Sequence, residues 1–282
     1  MVKEGPVLVL NIFTRYLSEV KVRGVVLSDA RYQEEAQAAK FLGYESRNLN
    51  ELDVSFRREA YKKLGNIFRP PIAEDLDWLP ALRAKVFGEL ASLDYQQLYV
   101  PLGIGWHVDH VLTHKLFEPW YGRNDMLFYE DAPYCCIPHS TRYRLNELAT
   151  YPADSTDQSL ALCNETSAWW QASMAYAETA LMKNLQPWIV RQFAVPVVTF
   201  YLHRLIALHR RCAADVPPRR KLNPIIVTLA AEFEAKVSAM ALYRSQFSEF
   251  FLGRDDCVNM LGAYSQSFRE SDERVERYWL EH

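Results

Sequence analysis

The sequence lacks an apolar run long enough to cross a membrane. Its longest uncharged apolar stretch, residues 193–202, is interrupted by Pro196. A transmembrane helix needs roughly 20 such residues, so this stretch is too short. The first residues also lack the charged and then apolar profile of a secretory signal. The sequence therefore predicts a chain without a transmembrane segment and without an export signal.

Paired cysteines are also missing. The 5 cysteines form no Cys-x-x-Cys pair, and their number is odd. This pattern argues against a disulfide framework and against a zinc knuckle built from cysteines. Reduced thiols and a cytoplasmic location are the simplest expectation. The cysteines are Cys135, Cys136, Cys163, Cys212 and Cys257.

Neither sign of charge is in large excess. The chain has 32 Lys and Arg against 35 Asp and Glu, which gives a net charge of -3. A chain with this balance has no overall field that attracts nucleic acid, so no nucleic-acid partner is expected. Its 49% apolar and 24% charged residues exclude a disordered or low-complexity protein. The length of 282 residues suits one large domain, or a domain with an appended subdomain.

Segments typical of strands and helices alternate in the first half of the chain. Asp29 can cap a helix that ends at Gly43, and Pro80 predicts either a kink or a true start near Leu79 in the second helix. Strands separated by helices predict an α/β fold with a Rossmann-like, mainly parallel sheet and helices on both faces. The predicted strands are 7–13, 22–27, 98–102 and 126–130, and the predicted helices are 29–42, 74–93 and 108–121.

The second half is predicted to be helical. We expect residues 1–150 to form an α/β core and residues 151–282 to form a helical extension packed on that core. Residues 187–211, with basic residues near their end, have two interpretations: a segment that lies on a membrane surface, or a buried helix with solvated basic ends. The predicted helices are 166–184, 188–211, 224–251 and 271–280.

One stretch carries residues suited to chemistry. Residues 101–110 read Pro-Leu-Gly-Ile-Gly-Trp-His-Val-Asp-His, and they follow a buried strand and lead into a helix. Ligands of open α/β sheets bind at the carboxyl ends of strands. Gly103 and Gly105 would let the backbone approach a ligand closely. His107 and His110 offer two imidazoles, and the carboxylate of Asp109 can orient an imidazole.

Each of these residues also has a structural interpretation. An aspartate near a helix start is common for capping reasons alone, and polar loops with two histidines occur by chance. His114 lies one turn beyond His110, and it can equally sit on the solvated face of the helix. A catalytic zinc needs about three protein ligands, whereas this stretch offers two.

The stretch resembles the second motif of the PIG-L/LmbE-like de-N-acetylases, which are zinc-dependent hydrolases that remove acyl groups from amino sugars and related amines. Further segments resemble the same family in the same order, so the resemblance spans nearly the whole chain. They are Arg31 with 34–36 and 42–43, then 52–57, 99–105 and 128–134, and finally Lys236 with 243–246 and 276–279.

The resemblance implies a zinc cofactor and a role for each residue of the stretch. It implies that His110 is a zinc ligand, that His107 stabilises the oxyanion or donates a proton, and that Asp109 orients His107. It further implies substrate contacts by four residues. For the two arginines the alternative is an ion pair with a neighbouring acid, and for the other two it is the end of a strand. The four residues are Arg31, Arg57, Tyr129 and Asp131.

The sequence departs from the family at its first motif, a His-Pro-Asp-Asp segment that supplies two zinc ligands and a general base. The first histidine of this chain is His107, so that motif is absent from the sequence. The sequence opens at what resembles the second strand of the family. Asp29 is the nearest substitute carboxylate, and its alternative role is a helix cap. Asp255 and Asp256 have no neighbouring histidine.

Two functions follow from these observations. The first is a zinc-dependent hydrolase whose substrate is a small N-acylated sugar or amine. The second is an inactive relative that keeps the fold and acts as a binding or scaffold protein. A sheet without its first strand exposes unpaired backbone groups and an apolar face, which predicts either poor solubility or recruitment of a partner, such as a second copy of the chain.

Overall fold

Strands and helices alternate along the chain, as the apolar pattern predicts. The computed structural model describes residues 5–17, 20–22, 25–27, 30–62, 66–137, 140–150, 220–268 and 273–281, together with positions 196–197, 199–200, 203–204 and 207–209. The strands are β1 (Leu8–Arg15), β2 (Val20–Val22), β3 (Val25–Leu27), β4 (Glu45–Leu52), β5 (Leu98–Pro101), β6 (Met126–Tyr129), β7 (Ala149–Thr150), β8 (Arg220–Thr228) and β9 (Val275–Glu281). The α-helices are α1 (Ala30–Leu42), α2 (Val54–Arg57), α3 (Ala73–Ala91), α4 (Val108–Leu116), α5 (Ser140–Leu148), α6 (Glu232–Leu242), α7 (Arg244–Phe250) and α8 (Arg254–Gln266).

The main sheet has the strand order β5-β6-β9-β8-β7. Strand β5 runs parallel to β6, with Val100 opposite Phe128, whereas β9 runs antiparallel to both β6 and β8. Strands β1 and β4 form a separate parallel pair, and β2 and β3 form an antiparallel pair. The predicted α/β class is confirmed, and the main sheet combines parallel and antiparallel pairs.

Two helix predictions in the second half are wrong. Residues 271–280 contain strand β9, and residues 224–251 begin within strand β8 before they continue as helices α6 and α7. The reason for β8 is its Ile-Ile-Val-Thr sequence, because β-branched side chains fit a pleated sheet better than a helix. The helix predicted for residues 166–184 lies outside the described residues. The division at residue 150 stays a prediction, and β8 and β9 come from the part that was expected to be helical.

A buried carboxylate explains how β9 can sit in the middle of the sheet. Glu130 follows β6 and accepts hydrogen bonds from Arg277 Nε at 2.6 Å, from Trp279 Nε1 at 2.8 Å and from the Tyr264 hydroxyl at 2.8 Å. Buried charges are stable in a protein when they are paired and hydrogen-bonded. Glu130 therefore lets the charged Arg277 face the interior, where its side chain is 3% exposed.

Helix α1 connects the β1–β4 pair to helix α7. Gly43 has φ +76° and ends α1 where the sequence predicts its end. Glu34 of α1 accepts hydrogen bonds from Ser245 N at 2.8 Å and Ser245 Oγ at 2.7 Å, at the start of α7. Asp29, the expected cap, lies outside the described residues. Helix α1 therefore fixes the position of α7.

The apolar core lies between the main sheet and helices α3 and α4. Val86, Leu82 and Leu112 of the two helices are 0–1% exposed, as are Val100 and Trp279 of the sheet. Burial of each such side chain contributes about 1.5–3 kcal/mol to the free energy of unfolding. Helix α3 is one helix that contains Pro80, so the alternative start near Leu79 is wrong. Among the helices that the structure describes, none is both long and apolar enough to span a bilayer.

Candidate active site

The loop between β5 and α4 carries the residues that were predicted to be functional. Three of its residues have positive φ: Gly103 at +80°, Trp106 at +59° and Gly105 at +82°. A Cβ on Gly105 would lie 2.4 Å from Tyr134 Cγ, and a Cβ on Gly103 would lie 3.0 Å from Arg144 Nη2. The glycines were expected to admit a ligand. The structure instead shows that they admit side chains of the protein itself.

Hydrogen bonds fix this loop from two sides. The buried Asp131 accepts bonds on Oδ2 from Gly103 N at 2.8 Å and from Ile104 N at 2.9 Å. On the other side, Arg144 Nε donates to Leu102 O at 2.9 Å. The carboxylate of Glu147 accepts a hydrogen bond from Arg144 Nη1 at 3.0 Å and another from the indole Nε1 of Trp106 at 2.9 Å. The start of α4 is therefore held in place by its surroundings.

His110 is oriented by Asp131. His110 Nδ1 lies 2.5 Å from Asp131 Oδ1, and the His110 side chain remains 36% exposed while that of Asp131 is fully buried. Burial lowers the pKa of His110, but the bond to Asp131 and its negative charge outweigh burial and raise the pKa overall. Asp131 was predicted to contact substrate, and its observed contacts are with His110 and the loop.

His107 lies beside His110, as the sequence predicts. The two ring centroids are 5.2 Å apart, and the ring of Phe68 packs edge-on against His107 at 6.0 Å. Burial lowers the pKa of His107 well below its usual value, and the neighbouring His110 and the two arginines Arg31 and Arg57 lower it further. The buried Nδ1 of His107 has no hydrogen-bond partner among the described residues. His107 is therefore a neutral imidazole with an unused polar atom.

Asp109 has a different partner from the one expected. Its Oδ1 lies 2.7 Å from Arg57 Nη1, and its Oδ2 accepts a hydrogen bond from Val54 N at 3.1 Å. The sequence suggested that Asp109 orients His107, yet His107 Nδ1 is without a hydrogen bond in the part of the chain that the structure describes. Burial raises the pKa of Asp109, and Arg57 limits that rise. Asp109 thus connects α4 to α2.

Arg57 is buried between two acids. Its side chain is 4% exposed, with Nε 3.2 Å from Asp75 Oδ2 and Nη1 2.9 Å from Leu52 O in addition to its pair with Asp109. The alternative in which this arginine pairs with neighbouring acids is therefore what the structure shows. Contact between Arg57 and a substrate stays a prediction.

Arg31 and Tyr129 lie nearer to the surface. Arg31 Nη1 donates to the Tyr16 hydroxyl at 3.1 Å and lies 3.7 Å from Asp53 Oδ2, and its side chain is 18% exposed. Tyr129 ends β6 and is 36% exposed. Substrate contacts by these two residues stay predictions.

His114 is a core residue. It is 2% exposed, its Nδ1 donates to Pro101 O at 3.0 Å, and its Nε2 accepts from the Tyr121 hydroxyl. Both interpretations of His114 from the sequence, a ligand on the His110 face and a solvated residue, differ from this arrangement. Burial lowers the pKa of His114 well below its usual value, with a further lowering from Arg144.

Aromatic residues around the two histidines were not predicted. Tyr134 packs against His110 at 5.8 Å between ring centroids, against Phe68 at 6.2 Å and against Phe250 of α7 at 5.5 Å. These side chains come from three separate parts of the chain, so no local sequence pattern predicts that they pack together. In the sequence, the glycine at position 105 was the one feature that pointed to a close neighbour here, and that neighbour is Tyr134.

Comparison with solved structures identifies the fold. Three deacetylase structures match over 100% of this chain: the A40926 pseudoaglycone deacetylase Dbv21, a deacetylase of the teicoplanin biosynthesis pathway in complex with bog, and the zinc inhibited form of the teicoplanin deacetylase Orf2. The chain has the fold of these deacetylases. The TM-scores are 0.58, 0.58 and 0.57, the identities are 15%, 13% and 12%, and 87%, 89% and 90% of the matched chains are covered. No protein-family model and no curated protein matches the sequence.

The described residues do not fit a complete zinc site. His107 and His110 are chemically suited to zinc, and a histidine held by a carboxylate, as His110 is by Asp131, is usual at zinc centres. A catalytic zinc needs about three protein ligands. Within the ranges that the structure describes, no three side chains of His, Cys, Asp or Glu are grouped as metal ligands. Asp29, the substitute carboxylate named from the sequence, lies outside those ranges.

Proposed function

We propose that this chain is a hydrolase that removes an acyl group, in the first instance an acetyl group, from an amino sugar or a related amine. The observation that carries the proposal is the contact of 2.5 Å between His110 Nδ1 and the buried Asp131, beside the neutral imidazole of His107. Further support comes from the deacetylase fold over the whole chain and from the family-like motifs along the sequence.

In this proposal, His110 transfers a proton from water to the leaving amine. Asp131 keeps the Nδ1 proton of His110 in place, so that the Nε2 lone pair can accept a proton from water. The water oxygen then bonds to the acyl carbon. When the C–N bond breaks, the proton on Nε2 passes to the nitrogen of the leaving amine, and the products are a carboxylic acid and a free amine.

His107 has a different role in the proposal. A neutral imidazole donates a hydrogen bond through one nitrogen, and His107 can direct that donor at the oxygen of the acyl group, where negative charge develops. The low pKa of His107 keeps it neutral near pH 7. Arg31 and Tyr129, which are partly exposed, are proposed to contact the sugar or amine.

Release of acetate from N-acetylated amino sugars tests the proposal. The full chain is incubated with N-acetylglucosamine and its β-1,4 dimer, with and without added zinc, and free acetate is measured. Acetate release is expected from the unmodified chain and from Asp125→Asn, a surface change before β6, but not from His110→Ala. Failure of the unmodified chain to release acetate from any N-acylated sugar or amine under these conditions would contradict the proposal.

A metal-dependent form of the function is tested by elemental analysis. About one zinc per chain, absent from His110→Ala, would support the zinc-ligand role that the resemblance implies for His110. Nε2 of His110 would then hold the metal and could not accept the proton, so this result would exclude the proton-transfer role of His110. A zinc content near zero, together with acetate release, would assign the reaction to the protein side chains alone.

The second candidate function is a binding protein that does not hydrolyse. It is favoured because His107 and His110 could each bind a metal ion, but the described residues do not group a third metal ligand with them. Calorimetric titration with the same sugars distinguishes the two, because a binding protein retains the ligand and releases no acetate. A cytoplasmic location and association of two copies belong to the proposal as well. The first is supported by the free thiols of Cys135, Cys136 and Cys257.

A further inference from the structure

His209 contacts the loop of the site from outside the recognised motifs. It is 6% exposed and lies at the helical positions 207–209. Its Nε2 is 2.8 Å from the carbonyl oxygen of Phe68. Because a carbonyl oxygen only accepts hydrogen bonds, Nε2 carries the proton and donates it. The described part of this segment therefore faces the site through a specific polar contact.

The ring of His209 also packs against Trp106. The two ring centroids are 5.7 Å apart, and the rings are inclined by 35°. Trp106 has φ +59°, a left-handed conformation that is strained for a residue with a side chain and persists only where the surroundings hold it. The second restraint on Trp106 is the bond of 2.9 Å from its indole to Glu147.

Both residues that His209 contacts are neighbours of His107. Trp106 precedes His107 in the chain, and the ring of Phe68 packs edge-on against the imidazole at 6.0 Å. A shift of either neighbour would turn the His107 ring, whose Nδ1 has no hydrogen-bond partner within the described ranges to hold it. His209 thus acts on His107 through two separate contacts.

We propose that His209 is a positioning residue of the site: by holding Phe68 and Trp106 it fixes the orientation of His107. This role rests on the proposed function, in which His107 directs a hydrogen-bond donor at the acyl oxygen. It also assigns a place beside the site to positions 207–209, the described end of a segment for which the sequence left two interpretations open.

Two variants separate the hydrogen bond from the packing. His209→Gln keeps a donor at the place of Nε2, whereas His209→Leu keeps an apolar body against Trp106 and removes the donor. For His209→Leu we expect kcat to fall about tenfold while KM stays within about twofold, since a misdirected donor affects the transition state more than substrate binding. His209→Gln is expected to restore kcat to within about threefold of the unmodified chain.

Hydrogen exchange gives a readout that does not depend on activity. In His209→Leu, amides of the loop 102–107 are expected to exchange about fivefold faster, since one net hydrogen bond is lost, while amides of α3 are unchanged. In His209→Gln, both regions should exchange as in the unmodified chain.

The outcomes separate the positioning role from the proposed function. Unchanged loop exchange in His209→Leu overturns the positioning role, and so does faster exchange in α3 as well as the loop, because that is a general loss of stability. Faster exchange confined to the loop, with rescue by His209→Gln, supports the role even if no N-acylated sugar or amine is hydrolysed. In that case only the proposed function fails.

Discussion

Asp131 holds His110 and the loop before α4 with a single carboxylate. Its Oδ1 lies 2.5 Å from His110 Nδ1, while its Oδ2 accepts hydrogen bonds from Gly103 N and Ile104 N. The orientation of the imidazole and the path of the backbone are therefore set by the same buried group. A change in this carboxylate affects both at once.

Asp131→Asn is expected to reduce kcat strongly. The amide group cannot accept on both sides, so a donor faces either His110 Nδ1 or the loop amides, and the tautomer of His110 that the proposal needs is lost. We expect kcat to fall by at least about 100-fold, since the corresponding change in an Asp–His pair of a hydrolase costs about 10⁴. Asp125→Asn, at the opposite end of β6, is the control and should stay within about twofold. Equal activities of the two variants would contradict the orienting role of Asp131.

Arg57→Met is expected to destabilise the fold. It leaves the carboxylate of Asp109 buried without its cation, whereas Asp75 keeps Arg58, whose Nε lies 3.0 Å from Asp75 Oδ1. Breaking a buried pair by removing one partner costs about 3–5 kcal/mol. Arg47→Met removes an arginine whose side chain is 38% exposed, and it should cost less than about 1 kcal/mol. Urea unfolding measures both. A loss for Arg57→Met as small as that for Arg47→Met would show that the buried Asp109 needs no cationic partner.

Two glycines with nearly equal φ separate backbone strain from steric overlap. Gly122 has φ +83° and no atom within 4 Å of an added Cβ, so Gly122→Ala should cost about 1–2 kcal/mol from the backbone alone. Gly105→Ala adds the overlap with Tyr134, and about 2–5 kcal/mol is expected in total. It should also displace Tyr134 from His110 and lower activity. Thermal unfolding and acetate release together test this, and equal stability losses would mean that Tyr134 moves freely.

His114→Asn is expected to change how stability depends on pH. Burial holds the pKa of His114 well below 6.5 in the folded state, so only the unfolded chain takes up this proton as the pH falls below about 6.5. The contribution of His114 is therefore complete above that pH, and below it the free energy of unfolding falls by up to about 1.4 kcal/mol per pH unit. The variant lacks this slope.

His110→Asn is the matched control with the opposite sign. The pKa of His110 is raised in the folded state, so its contribution is complete at low pH and is lost as the pH rises through the folded pKa. From pH 7.5 to 5, the stability advantage of the unmodified chain should shrink relative to His114→Asn and grow relative to His110→Asn. Parallel pH profiles for both variants in urea unfolding would contradict these protonation states.

The parts of the fold that were predicted correctly follow local rules. Helix α1 ends at Gly43 and strand β5 is a short apolar run, and both could be recognised without knowledge of the rest of the chain. Strand β9 could not be recognised, because Arg277 and Glu281 alternate with its aromatic residues at buried positions. The burial of Arg277 depends on Glu130, which lies 147 positions away in the sequence.

The predictions for the site were likewise correct where they followed local rules and incomplete where tertiary contacts decide. The proximity of His107 and His110 follows from their spacing at the start of one helix, and it was predicted. The partner of each polar residue was not predictable, because Asp131 reaches His110 across 21 residues and Asp109 takes Arg57 as its partner. Sequence spacing determines which groups are neighbours on one element, but tertiary contacts determine which of them bond.

The position of β9 in the sheet also determines the order in which the fold can be completed. β9 lies between β6 and β8, and its bonds to Glu130 join residues that are 147 and 149 positions apart. Contacts this distant form late and slow the search for the native topology. Until β9 is inserted, the edge of β6 that faces β9 has unpaired backbone groups, and Glu130 lacks Arg277 as its partner.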